Sequence, residues 1–255
     1  MRPLSSPRRT AALIVAAAVT AGSLGVAGPA GAQDPTSTTV EPTTTVEPTT
    51  TTAPPAPAPT SLTLSGPDLA EGMAGAEVAF LQIRLLERGY WLSDPFGRFG
   101  ASTRHALTAF QKYHYLPRTG RLDAFSRFVL AATLQRPTVR FPKPGRSVEV
   151  DIDRQVLLVA QDGIVLIVLD VSTGTRRTPT PRGSFRITRQ INGLRISRLG
   201  QLWRPKYFTG GYALHGSPSV PNYPASHGCV RLTNQEINFL WDSGLVPVGT
   251  PVTLY

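Results

Sequence analysis

The sequence predicts an α+β multidomain protein, a small three-helix bundle followed by a mainly antiparallel β domain with few helices. Three observations carry that reading. Apolar residues recur at helical spacing between Gly75 and Leu134. From Val148 onward the period becomes two, with Asp162-Gly163 set between apolar runs. A proline-punctuated connector, "RPTVRFPKPG", separates the two patterns.

Taken in order, the chain opens with "MRPLSSPRRT", which carries three arginines and no acid, then an apolar small-residue stretch, then "AGA" at Ala30 to Ala32. That order predicts a secretory signal over residues 1–32, cleaved after Ala32. Ala11 to Ala30 is long enough to span a membrane, but its Ala and Gly content is weakly apolar for an anchor. No integral span is therefore expected after cleavage, and the protein is expected to be exported, extracytoplasmic and located at the cell wall. Lipid attachment at an N-terminal cysteine is excluded, because the sole cysteine is Cys229.

Loss of residues 1–32 lowers the formal charge from +10 to +7. A basic exported chain suits an anionic wall polymer or membrane surface, simple solubility being the alternative. Nucleic acid is not an expected partner, since neither a basic helix nor Cys/His finger spacing is present. Residues 33–64 are Thr, Pro and Ala with a few acids, and "TTVEP" at 38–42 recurs at 44–48. Such a segment has too little apolar surface to offset chain entropy and reads as a disordered linker with a reach on the order of 80 Å.

The helical domain is predicted over residues 65–136. Val78, Leu81 and Leu85 form one helix face and Gly89 stops it. A second helix follows "FGRFG", with Ala106, Leu107 and Phe110 on its face. A third, "AFSRFVLAATL", begins near Asp123 and ends before Pro137. His105 and His114 read as surface or packing residues rather than metal ligands. After the connector at 137–145, the β domain covers 146–255. Its strand-like pieces are "VEVDI", "VLLVA", "IVLIVLDVS", "GSFRI", "YALHG" and "TPVTLY". One late helix, "TNQEINFLWDSG", begins with the capping-box pair Thr233 and Glu236 and finishes at Gly244.

Cys229 lies in "SHGCVRL". In an oxidising compartment a lone thiol is left with an intermolecular bridge, an inert buried role, metal ligation or nucleophilic attack. Attack needs the thiolate, hence a base or cation close by, and two histidines lie within fourteen residues. His227 is two positions away on the same backbone, which gives poor geometry for a bond to sulfur. His215, closing "GGYALHG", arrives from a different strand and is the favoured base. Pro218, Pro221 and Pro224 stiffen the loop between them. Gly228 leaves its backbone bare beside the thiol, where amide N–H groups are expected to receive an oxyanion.

Two resemblances follow from these residues. "VAFLQIRLLERGYW" with "GRFGASTRHALTAFQKYHYL" resembles the peptidoglycan-binding three-helix domain found beside wall enzymes. "HGSPSVPNYPASHGCVRL", with "STGTRRTPTPRGSFRI" and "LWRPKYFTGGYALHG" before it, resembles the L,D-transpeptidase catalytic domain. The second resemblance implies a β-sandwich-like fold in which Cys229 is the nucleophile and His215 its proton acceptor and donor. A backbone carbonyl just after His215 would stand where a carboxylate orients the ring in other triads. Ser226, His227, Gly228, Gly216, Arg231 and Tyr212 would shape the pocket, Arg231 either holding its architecture or meeting a substrate carboxylate.

The implied chemistry is attack by Cys229 on the third residue of a peptidoglycan tetrapeptide stem, release of D-alanine, and resolution by an amine of a neighbouring stem. Water in place of the amine would give a carboxypeptidase. Stem peptides and glycan are the implied partners, carbapenems the implied inhibitors, and no cofactor is implied. The alternatives are a zinc site from His215, His227 and Cys229, disfavoured by their close spacing, and a non-catalytic peptidoglycan-binding scaffold. A serine acyl-enzyme of the penicillin-binding type is disfavoured further, because none of the three lysines has a serine three positions earlier. The arginines at 176, 177, 182, 186, 189, 195, 198 and 204 read as a solvated face, an approach for acidic stems being the alternative.

Overall fold

The computed structural model describes residues 66–255; the expected signal segment and Thr/Pro-rich linker lie outside the described residues. Three helices come first: α1 (Ala76–Glu87), α2 (Ala101–Tyr113) and α3 (Ala124–Ala132). Gly89 ends α1 at φ 86°, a conformation that only glycine adopts without strain. Asp123 caps α3, its carboxylate accepting from the Ser126 amide at 2.7 Å.

Two fully buried glutamines explain why this bundle needs its leucine-glutamine and phenylalanine-glutamine pairs. The Gln82 amide donates to the carbonyls of Pro95 and Arg98 and its oxygen accepts from Gly97 N–H, which fixes the turn before α2. Gln111 does the same for the turn before α3, donating to Arg121 O and Ser126 Oγ and accepting from Gly120 N–H. Each replaces hydrogen bonds that a buried loop backbone would otherwise lack.

The β domain holds two sheets. The first comprises β1 (Arg146–Asp151), β2 (Val156–Gln161), β3 (Ile164–Asp170), β4 (Gly183–Arg186) and β10 (Pro251–Leu254), in the order β3-β2-β1-β10-β4. The second comprises β5 (Arg189–Gln190), β7 (Gly200–Thr209), β8 (Tyr212–Ser217) and β9 (Val230–Thr233), in that order, with β6 (Leu194–Ser197) also pairing β7. Asp162 and Gly163 join β2 to β3 with φ of 51° and 80°, the paired left-handed conformations of a tight hairpin turn. The sheets are mixed: most pairs are antiparallel, but β1/β10 and β8/β9 are parallel. Parallel partners require a long connection, here the 218–229 loop for β8/β9. Helix α4 (Asn234–Asp242) starts from the capping box formed by Thr233 and Glu236 and packs under β8, one of its residues, Ile237, lying in the core between the sheets.

The connector at 137–145 divides the chain but not the core. Val156, Leu158, Val165 and Val168 of the first sheet share one apolar cluster with Leu81, Leu85, Tyr90, Leu107 and Phe110 of the helices. Gly89 and Trp91 hydrogen-bond Val168 on β3, the sheet's edge strand, which covers an edge that would otherwise be open to pairing. Across the same junction Lys112 Nζ donates to Asp170 Oδ1 at 2.5 Å and to Val171 O at 2.8 Å, and His105 Nδ1 lies 2.7 Å from Asp170 Oδ2. Burial pulls the Lys112 ammonium below its ordinary value, with Asp170 opposing. His114 stacks on Phe110 with centroids 4.6 Å apart, a packing role as expected. His105, by contrast, is buried and hydrogen-bonded to the Asp170 carboxylate. Among the described residues no helix is long and apolar enough to cross a membrane.

Candidate active site

The second sheet brings His215 and Cys229 together through register. Leu214 pairs with Val230 and His215 with Arg231 across the parallel β8/β9 ladder, so Cys229 lies level with Ala213. Residues directly paired share a face, and alternate residues along a strand share it too. Ala213, His215, Cys229 and Arg231 therefore project on one side, with His215 diagonal to Cys229. Leu214, Val230 and Leu232 project on the other side, into the core. The same row continues to Tyr207 on β7, which pairs with Ala213, and to Arg189 on β5, which pairs with Tyr207.

His215 and Cys229 line one half-open cavity of about 500 Å³, together with Ser226, His227, Arg231, Arg189, Arg195 and Tyr207. His215 is 5% exposed. Its Nδ1 lies 2.9 Å from Gly216 O. A carbonyl only accepts, so Nδ1 carries the proton and Nε2 keeps a lone pair. Burial pushes the imidazole down to about 4, the Gly216 bond opposing and the Arg231 charge adding to the shift. Burial likewise pushes the Cys229 thiol up, against a hydrogen bond from the Ala213 amide and the Arg231 charge. The thiol donates to Gly211 O at 3.8 Å. Burial thus works against both the thiolate and the imidazolium, and the pair is expected to rest neutral.

The remaining sequence candidates are placed as follows. Ser226 is buried, and its hydroxyl donates to Cys229 O at 2.6 Å and accepts from Gly228 N–H at 3.0 Å. The Gly228 amide, beside the thiol as expected, is engaged by Ser226 Oγ. Glycine is needed there for another reason. At φ 106° a Cβ would lie 2.3 Å from Tyr212 Cε1, so the Tyr212 ring occupies that space. Gly216 also lies outside the cavity lining; its bare Cα admits Ile237 of α4 and Trp203 beneath β8, while its carbonyl holds the imidazole. His227 is exposed at the cavity rim, and Arg231 is partly buried within it.

Residues of the stretch "STGTRRTPTPRGSFRI", to which the sequence reading gave no individual roles, hold the thiol's segment in place. Ser172 exchanges backbone hydrogen bonds with Arg231 at 3.0 and 3.1 Å, and Thr173 O accepts from the amides of Ala225 and Ser226. Thr178 Oγ1 donates to Ser226 O at 2.9 Å. Gly174 sits where a Cβ would meet Thr178 O at 2.1 Å and Gly228 Cα at 2.9 Å. Gly174→Ala is expected to destabilise the fold by about 1–3 kcal/mol through overpacking against backbone; a denaturant midpoint equal to that of the unsubstituted protein would refute this role. Of the eight arginines read as a solvated face, Arg189 and Arg195 are exposed as expected and also line the mouth of the cavity. No local signal marks them, since their position follows from how β5 and β6 pair with β7.

Comparison with known proteins agrees with this architecture. Residues 145–254 match the L,D-transpeptidase catalytic domain family, and residues 74–125 match the putative peptidoglycan binding domain family. No curated protein is matched. The crystal structure of an L,D-transpeptidase (residues 123–326) from Xylanimonas cellulosilytica is similar, with 42% identity over 80% of this chain and 100% of that one, at a TM-score of 0.70. An L,D-transpeptidase from Stackebrandtia nassauensis is 22% identical over 76% of this chain and 97% of that one, with a TM-score of 0.47. With its sheet pairing, its cavity and the match to the Xylanimonas protein running the length of that chain, this protein belongs to the L,D-transpeptidase family and is a cell-wall transpeptidase.

Proposed function

We propose that the protein is an exported cysteine transpeptidase that forms cross-links between the third residues of neighbouring peptidoglycan stems. The observation that supports it best is the placement of Cys229 and His215 on one face of adjacent strands, lining one cavity, with Nδ1 of the imidazole tied to Gly216 O. In the proposed reaction the thiol rotates from Gly211 O toward Nε2 and gives up its proton there. Sulfur attacks the carbonyl carbon of the third residue, the bond to the D-alanine nitrogen breaks, and the imidazolium returns the proton to that departing amine. An acceptor amine then attacks the thioester and passes its proton to His215, restoring the thiol as the amide forms. Water in the acceptor's place yields a carboxylate, a carboxypeptidase side reaction. Arg231 and Ser226 are positioning residues in this scheme. The helical domain, docked on the catalytic sheet, is proposed to hold the enzyme against the polymer.

Release of D-alanine from a purified disaccharide-tetrapeptide by the full chain tests the reading; an intact, reduced protein that releases none would overturn it. The neutral resting pair makes a separate prediction. Iodoacetamide alkylation of Cys229 in the free enzyme is expected to accelerate about tenfold per pH unit between pH 6 and 8.5, since only the thiolate reacts. A plateau across neutral pH would instead reveal a preformed thiolate–imidazolium pair.

A further inference from the structure

The cavity over Cys229 is cationic without compensation. Arg189, Arg195 and Arg231 line it, and no aspartate or glutamate does. Some arginines elsewhere pair with acids, Arg182 with Asp153, Arg154 with Asp151, Arg204 with Asp242 and Arg104 with Glu71, while others, Arg118, Arg136 and Arg186 among them, bond backbone carbonyls. None of the three cavity arginines has an ion-pair partner among the described residues. Arg189 is also oriented. Its guanidinium stacks over the Tyr207 ring, 4.2 Å from the centroid, which occupies one face and leaves the N–H edges available to an oxyanion. Arg195 stands opposite Leu202 in the β6/β7 pair, and Leu202 packs with Tyr207 and Ala213 on the thiol's side of the sheet.

From this arrangement we infer that Arg189 and Arg195 select acyl donors bearing a free carboxylate at the far end of the third residue's side chain, in preference to the corresponding carboxamide. The inference rests on the transpeptidase reading of the site. Arg189 is three strands from Cys229 along one row, about 14 Å between backbones at the usual strand spacing. Its guanidinium, reaching back over Tyr207, therefore meets a group set one side chain away from the attacked carbonyl rather than next to it. Arg231, two residues from Cys229 on the same strand and face, is the cation placed for the nearer carboxylate of the departing residue. A carboxamide would leave Arg189 and Arg195 facing a neutral group, without the charge-assisted pairing that a carboxylate gives.

Two measurements on the full chain separate this inference from the reading beneath it. Because Cys229 is the only cysteine, the ratio of its alkylation rates with iodoacetate and iodoacetamide reports the potential in the cavity, the thiolate fraction cancelling. That ratio is expected to exceed the ratio for a free cysteine peptide, and to fall about three- to fourfold in each of Arg189→Gln and Arg195→Gln, as expected for losing one unit charge near 10 Å. Arg189→Lys should restore most of it, which a folding defect would not. Then D-alanine release is compared for tetrapeptides carrying meso-diaminopimelate as free acid and as side-chain amide. The acid form is expected to be favoured about tenfold in kcat/KM, mostly through KM, as one charge-assisted pairing implies. In the double variant that preference should collapse toward unity. Equal use of the two donors by the unsubstituted enzyme, or an unchanged preference in the double variant, would overturn the inference while leaving acyl transfer intact. Failure of both donors with a normal alkylation ratio would instead strike the transpeptidase reading; an iodoacetate ratio no higher than that of the free peptide would overturn the cationic rim itself.

Discussion

Exchange of Cys229 for alanine is expected to lower D-alanine release by at least about 10⁴-fold, the scale seen when a covalent nucleophile is removed from a site whose other parts remain. The physical basis is that the groups bonded around the thiol's segment are committed to other roles. His215 is buried with its imidazole held neutral down to about pH 4, and Ser226 has its hydroxyl committed to Cys229 O and Gly228 N–H. The same variant should lose the covalent meropenem adduct that the family resemblance implies for Cys229, read as an intact-protein mass shift. Its melting temperature should change little, because Cys229 is only partly buried at the border of a small apolar cluster. Sacculus binding should also survive, since that function is assigned to the helices. A Cys229→Ala protein that still releases D-alanine at a tenth of the normal rate would refute the covalent scheme.

Lys112→Met is expected to cost about 3–5 kcal/mol of stability, the usual penalty for leaving one member of a buried ion pair without its partner. Lys112 and Asp170 are each at most 1% exposed, and the ammonium also satisfies the Val171 carbonyl. With Lys112 gone, Asp170 keeps the hydrogen bond from His105 Nδ1 but loses the ammonium that faced it. Glu236 adds to the problem, because its buried carboxyl, pushed up to about 7, contributes negative charge toward the same cluster once ionised. For a described unit of this size the loss should lower the melting temperature by about 10 °C. Lys112→Met combined with Asp170→Leu should recover most of it, since replacing both members by apolar groups removes the stranded charge. A single variant within 1 kcal/mol of the unsubstituted protein would show that the helices are not locked to the catalytic sheet through this contact.

That lock was not legible in the chain. Lys112 sits on a helix face beside "FQKYHY" and Asp170 ends an apolar run; neither stretch indicates that 58 residues of separation close to one bond. The helices themselves were legible. Val78, Leu81 and Leu85 are buried as their spacing requires, Gly89 and Asp123 punctuate as expected, and Thr233 and Glu236 form their capping box. The Asp162-Gly163 hairpin was legible for a similar reason, since two left-handed residues in sequence leave few alternatives. β5 to β7 were not read from their residues. Arg189 to Arg198 lack the apolar alternation of a half-buried strand, because that arm is largely solvent-exposed and only its pairing with β7 makes it a strand.

At the site the division is similar. The sequence by itself determined the residue types: one thiol, a histidine favoured as arriving from a different strand, and a glycine next to the thiol. It did so because reactivity, turn geometry and helix capping depend on atoms within a few positions of one another. Only the tertiary structure decided that Gly228 makes room for Tyr212, that burial opposes ionisation of both the thiol and the imidazole, and that Arg189 and Arg195 line the cavity. Each of these follows from strand register and from burial, and both are set by packing between segments far apart in the chain, where local spacing carries no information.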